Sequence, residues 1–383
     1  MTLATAIAVE PDITIEIMDR VDPGALGPLW IDLERRSDGS FFQTWGWIGC
    51  WLRQLPARFQ PRAIVARVGD VTVGLGVFAS KHKLRHQVFF SKGLYLGQTG
   101  EPDYDHISIE HNGFLVDRTM EETVTRRFLE DLAAQGREQW SEFFISGVEA
   151  RRAALYRQVA MDLNLATVSR RREPYYRVDL DAVRHGTGDY LQTLSRNTRY
   201  QVRRALRLYE DDGTLSLSVA RDLDQALDYF AALGDLHQTY WEAKGGTGSF
   251  AFPFWARFHE ALIRERFAAG EIQLIRVTAG VRPVGYLYNF VKDGVVYSCQ
   301  SGFAYDADPK RKPGLVCHVL AIQHSLSHGA RIYDFLAGEG QHKQSLSSES
   351  SEMEWLVIRR DYLRFRIEDR LRSLKHRRDR QRP

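Results

Sequence analysis

The stretch KRKPGLVCHVLAIQHSLSHGARIYDFLAGEGQHK, Lys310 to Lys343, decides how the chain reads. Leu315, Val319, Ile322 and Leu326 form one apolar stripe, Pro313 suits a first helical turn and Gly329 a stop. A helix is therefore expected from Pro313 to His328, followed by IYDFL as a short strand. The first amides of a helix lack intrahelical partners and sit at the positive end of its dipole, so that end favours an anion. Three cations precede it. The expected contacts to a pyrophosphate are Lys310, Arg311, Lys312, Pro313, Gly314 and Leu315. A basic turn before a helix is also an ordinary solvated loop, and only its surroundings separate the two readings.

Those surroundings have a definite order. IQLIRV, PVGYLYNF and VVYSCQSGF, after residue 270, read as a three-strand meander that feeds the helix and then IYDFL. The first half repeats this order with AIVARVGDVTVGLGVFA at 63–79, VFFS at 88–91, a helix in EETVTRRFLEDLAAQG at 121–136, and FFISGV. We read an internal duplication, carried by the order of elements rather than by residue identity. The first copy of the helix begins at Arg118-Thr119-Met120-Glu121-Glu122, where two carboxylates repel a phosphate, so the anion site is expected in the second copy only. Three helical stretches at 189–213, 223–245 and 252–270 lie between the copies, and 170–188 reads as the crossover.

A chain of 383 residues exceeds one average core and fits two lobes of roughly 150 to 190 residues. Its 44% hydrophobic and 26% charged residues are ordinary globular composition. No Lys or Arg precedes the short apolar run at the amino end, and no run approaches membrane-spanning length, so a cytoplasmic protein is expected. Cys50, Cys299 and Cys317 are dispersed, which supports neither a disulfide framework nor a cysteine zinc site. His324 and His328 share a helix face without a third ligand, so no metal is expected. Residues 359–383 carry a net charge of +7 and leave the body at −4, which argues against general nucleic-acid binding. Within that tail, Leu363, Ile367, Leu371 and Leu374 form an apolar stripe among arginines, suited to the protein's own surface, a partner or an anionic membrane.

Six segments carry a family resemblance: SRNTRYQVRRALR, LHQTYWEAKGGTGSF, FPFWARFHEAL, YSCQSGF, KPGLVCHVLAIQHS and YDFLAGEGQHK. Together they resemble the BioF2-like (CelD-type) acetyltransferase domain of the GNAT superfamily, a relative of the FemABX peptidyltransferases. The resemblance covers about 190 to 345 well and reaches the first half loosely, through FFQTWGWIGCWL and the meander. It implies an α/β (α+β) fold of tandem GNAT-like lobes with mixed sheets flanked by helices. The expected divisions are a first lobe at 1–170 without a donor site, an acetyltransferase lobe at 171–358, and the basic tail at 359–383.

The implied reaction is transfer of an acetyl or short acyl group from acyl-CoA to an amine, with envelope or exopolysaccharide synthesis as the implied pathway. Such a transfer needs a proton acceptor, a polarised carbonyl and often an acid for the thiolate. His237 is the first candidate base, Asp334 the second, with Glu339, His342 and Lys343 on the following loop. Related sequences often carry Tyr-Lys where this chain has His342-Lys343, which removes a tyrosine acid. Gln300 joins the donor contacts, on a strand whose backbone would meet the carbonyl. Tyr240, Trp241, Arg199 and Arg203 are the acceptor candidates. Two rivals stand beside this reading: FemABX-like aminoacyl transfer from charged tRNA, using the arginine ridge on 196–207, and a non-catalytic scaffold of a membrane glycan synthase recruited by the tail.

Overall fold

The computed structural model describes residues 12–85, 89–107 and 109–367. Among these, thirteen strands form one sheet: β1 (Ile13–Met18), β2 (Arg62–Val68), β3 (Val71–Arg85), β4 (Phe89–Leu96), β5 (Leu115–Val116), β6 (Glu142–Glu149), β7 (Ala166–Asp179), β8 (Leu215–Val219), β9 (Ile272–Ala279), β10 (Arg282–Lys292), β11 (Val295–Phe303), β12 (Ile332–Ala337) and β13 (Glu349–Arg359). Their spatial order is β1-β2-β3-β4-β6-β13-β7-β12-β11-β10-β9-β8, with β5 beside β3.

The duplication is visible in this order. In each half, four antiparallel strands end in a strand that pairs parallel to the next one, β4 with β6 and β11 with β12. Each parallel step is spanned by a helix, Glu121–Ala134 in the first half and Pro313–Ser327 in the second, as a parallel connection requires. The meanders turn tightly. Asp293 and Gly294 both have positive φ, the two-residue geometry that matches the twist of a hairpin.

The last strands are exchanged. β13 inserts between β6 and β7, and β7 pairs with β12, so each half is completed by a strand from the far side of the chain. The crossover expected near 170–188 is therefore largely strand β7. Its run SRRRE escapes the alternating apolar pattern because several of those side chains are solvent-exposed, while both strand edges are paired.

Three cores follow the sheet. One lies under the helices Glu121–Ala134 and Ala150–Asp162 of the first half, and its counterpart lies under Arg196–Glu210 and Pro313–Ser327 of the second. The third is shared: Trp30, Phe41, Phe42, Trp47 and Trp51 interleave with Phe254, Trp255, Phe258, Tyr288 and Phe290. Phe41 stacks on Phe290 with ring centroids 4.3 Å apart. Burying this much aromatic surface joins the two lobes into one body.

No helix among the described residues is long and apolar enough to cross a membrane. The tail expected over 359–383 lies outside the described residues beyond 367. Leu363 and Ile367 of its apolar stripe are 72% and 50% exposed, so these two do not lie against the body. Phe365 is buried instead, and Arg360 donates to the carbonyls of Leu132, Ala133 and Gln135.

Candidate active site

β11 and β12 pair over only three positions, Val295↔Ile332, Val296↔Tyr333 and Tyr297↔Asp334, and then part. A wedge opens past Tyr297 and Asp334. The β10–β11 register slips between Tyr288 and Asn289, which leaves Cys299 as an extra residue beside the wedge and locally re-aims the backbone of β11. His318 reaches in from the helix Pro313–Ser327. Its Nδ1 is 3.1 Å from the Tyr333 hydroxyl, and its ring stacks on His342 at 5.5 Å and meets Phe303 and Phe335 edge-on. Burial holds the Cys299 thiol protonated, so it is no nucleophile.

The expected anion contacts are arranged differently from the sequence reading. Lys312 takes a left-handed conformation, φ +46°, and turns the chain into the helix. Its Nζ donates to Gln201 Oε1 at 2.6 Å, and Arg311 is paired with Asp212, Nη2 to Oδ1 at 3.1 Å. These two cations are therefore partnered groups rather than free charges at a rim, while Lys310 is exposed. Pro313 and Leu315 are buried, and Gly314 packs against the Phe303 ring.

His237 also needs correction. Its Nδ1 donates to the Ser301 carbonyl at 3.1 Å, and its Nε2 accepts the Ser249 amide at 3.2 Å. Burial lowers its pKa, against the opposing effect of the Ser301 bond. Both nitrogens are committed, so the neutral ring has no lone pair for a base. Gln300 belongs to the same network: its Oε1 accepts the Ser301 amide and its Nε2 donates to Ser249 Oγ. Tyr240 stacks on the 56% exposed Tyr305 at 4.6 Å, and Trp241 is exposed beside it. Arg199 donates to the Gln192 carbonyl, while Arg203 and Glu339 are exposed. Partial burial and the adjacent Lys343 bring His342 down to about 4.

Asp334 and Lys343 do come together, with partners from the first lobe that the sequence reading missed. His111 Nδ1 is 2.6 Å from Glu149 Oε1, and its Nε2 is 3.2 Å from Asp334 Oδ2. Burial pulls the His111 pKa down, but the two carboxylates together lift it to about 10. Burial in turn raises Glu149, and His111, Arg152 and Arg177 together bring it to about 2. The bridged imidazolium is neither base nor acid near neutrality. Lys343 Nζ donates to the Ala337 carbonyl at 2.7 Å and the Leu336 carbonyl at 3.3 Å; burial lowers its pKa against Glu110, Asp334 and Glu173. The one sequence signal for these residues was EHNG at 110–113, a polar run whose His111 has a positive φ.

A cavity of about 800 Å³ opens between the lobes and ends at His111 and Tyr297. Its wall mixes charges: Arg35, Arg118, Arg151, Arg152, Arg266, Lys292 and Arg331 against Glu34, Asp38, Glu149, Glu271 and Asp293. Burial raises the pKa of Glu34, against its bond from the Trp45 amide and against Lys292. Tyr297, the last β11 residue paired with β12, lines this cavity, as does His111, whose Nε2 contacts Asp334. No group of three or more metal-ligating side chains occurs among the described residues.

In the first lobe, the corresponding gap between β4 and β6 is filled by the chain itself. Past the last pair, Tyr95↔Phe144, the Asn112 amide donates to the Gly147 carbonyl at 3.0 Å, and Asn112 Nδ2 donates to the Leu96 carbonyl at 3.0 Å. Gly147, at φ +64°, lies so close to the backbone of Ile109 and Glu110 that a Cβ would come within 2.9 Å of both.

The family described as "Acetyltransferase (GNAT) domain" matches residues 196–344, the segment that contains the wedge and its helix. Over that segment, in the second lobe, the chain is similar to a GNAT acetyltransferase domain. No protein of curated function matches the sequence. The crystal structure of FemX aligns with a TM-score of 0.58 at 12% identity, covering 88% of this chain and 96% of that one. A conserved protein of unknown function from Bacteroides thetaiotaomicron gives 0.55 at 10%, over 91% and 100%. L-PGS from Bacillus licheniformis gives 0.52 at 12%, over 91% and 96%. At these identities the likeness is one of fold, and it spans both lobes.

Proposed function

We propose that this protein transfers an acetyl or other short acyl group from acyl-CoA to the amine of a small-molecule acceptor. The observation that carries this reading is an inter-lobe cavity that reaches Tyr297, the last β11 residue before that strand parts from β12. The thioester lies in the wedge with its pyrophosphate toward Lys310 and the start of the Pro313–Ser327 helix, and a backbone amide at the Cys299 bulge polarises the carbonyl. The amine approaches through the cavity. Glu149, held ionised, attracts the ammonium form, whereas Glu34, with its raised pKa, is the cavity carboxylate suited to take the proton. Nitrogen then adds to the carbonyl carbon, the carbon–sulfur bond breaks, and CoA leaves as the thiol. An acceptor from envelope or exopolysaccharide synthesis fits a cavity that is polar and rich in both charges.

Calorimetric titration with acetyl-CoA, CoA and 3′-dephospho-CoA at low salt tests the donor. Micromolar, salt-sensitive binding is expected, and absence of binding to all three by the folded protein overturns the reading. A second reading, aminoacyl transfer from charged tRNA, draws on one observation: Arg196, Arg203 and Arg207 are exposed on the helix that packs against the Pro313–Ser327 helix. Salt-dependent retention of tRNA on a filter, lost in a triple alanine variant, would favour it.

A further inference from the structure

The end of β12 is held in an unusual shape. Leu336 is a buried, non-glycine residue at φ +60°, a conformation that persists only where its surroundings enforce it. The β12–β7 register is irregular between Asp334 and Ala337 at the same place. The enforcing groups are all polar. The Leu336 amide donates to Asp334 Oδ1 at 2.7 Å, the Ala337 amide donates to Glu110 Oε2 at 2.6 Å, and Lys343 Nζ bonds the carbonyls of both residues. Glu110 comes from the first lobe, on the same segment that plugs the gap between β4 and β6. Its neighbour His111, itself at φ +46°, holds Asp334 from the other side.

We propose that Glu110 and His111 are positioning residues for the donor wedge, so that the plugged first lobe sets the width of the second lobe's acyl-donor site. The plug is wedged at Gly97 and Gly147, anchored by Asn112, and backed by Ser40 Oγ on the His111 carbonyl at 3.0 Å. It projects Glu110 and His111 across the lobe boundary as a rigid strut. Without Glu110 the Ala337 amide loses its acceptor, Leu336 relaxes toward extended backbone, and the far wall of the wedge moves. This assignment rests on the acyl-CoA reading for its consequence, but the clamp itself is observable without any ligand.

The test uses the full chain with Glu110→Gln, Glu110→Ala and wild type, and two measurements. Amide hydrogen exchange is followed for the segment containing Leu336 and Ala337, and acetyl-CoA affinity is measured by calorimetry. Glu110→Ala should speed exchange of that segment at least tenfold, leave the strands β9 and β10 protected, and raise the acetyl-CoA Kd about tenfold. Glu110→Gln retains a carbonyl acceptor and should stay within threefold of wild type in both. Exchange unchanged in Glu110→Ala, or raised equally across β9 and β10, overturns the proposal. So does an unchanged Kd beside loosened exchange. If wild type binds no acyl-CoA, the donor reading fails on its own, while the exchange result still decides the clamp.

Discussion

Gly147→Ala is the sharpest single test of how tightly the plug is seated. The residue has φ +64°, where a side chain costs roughly 1–2 kcal/mol. Its new Cβ would also stand 2.9 Å from Glu110 Cα and 2.9 Å from the Ile109 carbonyl oxygen, both backbone atoms without rotameric freedom. Overpacking of that kind adds about 1–3 kcal/mol, for a total of about 2–5 kcal/mol. Gly69→Ala is the matched control: φ is +55°, but no atom lies within 4 Å of its Cβ, so only the conformational cost of about 1–2 kcal/mol applies, less a small gain from stiffening the unfolded chain. Urea unfolding of both variants, compared at unchanged slope, isolates the contact contribution. Gly147→Ala should be the less stable by at least about 1 kcal/mol, and its acetyl-CoA affinity should fall with it. Equal stability of the two variants would show that the segment 109–113 yields easily, and would refute the rigid strut.

Further outcomes follow from the site. Glu34→Gln should lower kcat at least tenfold in a CoA-thiol release assay while leaving the acetyl-CoA Kd unchanged; an unaltered kcat removes Glu34 as proton acceptor. His237→Gln should perturb stability by about 1–3 kcal/mol through its part-buried bonds to Ser301 and Ser249, without shifting the pH–rate profile. The bridge through His111 has a defined pH window. His111 is raised from 6.5 to about 10, so its contribution is complete below 6.5 and fades as pH climbs toward 10; Glu149 is lowered from 4.5 to about 2, so its contribution is complete above 4.5 and fades toward pH 2. Stability of His111→Gln relative to wild type should therefore be lowest between those limits, and a difference independent of pH would sink the bridged-imidazolium assignment. Arg311→Ala should cost no more than about 1 kcal/mol, since its pair with Asp212 lies near the surface; a larger loss in thermal melts would mean that the loop before Pro313 depends on it.

Periodicity made the meanders and the Pro313–Ser327 helix legible, because both depend on neighbours a few residues away. The repeat of element order was legible for the same reason. What escaped was created by distant pairing. Arg311 looked like a free cation because Asp212, 99 positions upstream, is invisible to local pattern. His237 looked like a base because nothing near it announces Ser301. His111 and Asp334 touch only after the two halves pack, and the positive φ values that mark His111 and Leu336 belong to bulky or polar residues in runs without glycine at those positions. β7 was misread because its paired edges, not an apolar pattern, make it a strand.

The exchange of β7 and β13 has a consequence for the order in which this protein is made. β6 emerges from the ribosome long before the strand that will lie beside it: Arg157, just after β6, pairs with Glu354 of β13, 197 residues later. Until β13 arrives, the first lobe carries an open sheet edge of the kind that recruits other chains. β7 meanwhile waits for β12 on one side and β13 on the other. Neither half can close on its own during synthesis, so the nascent chain depends on late protection, and a break between the halves would leave two sticky fragments rather than two domains.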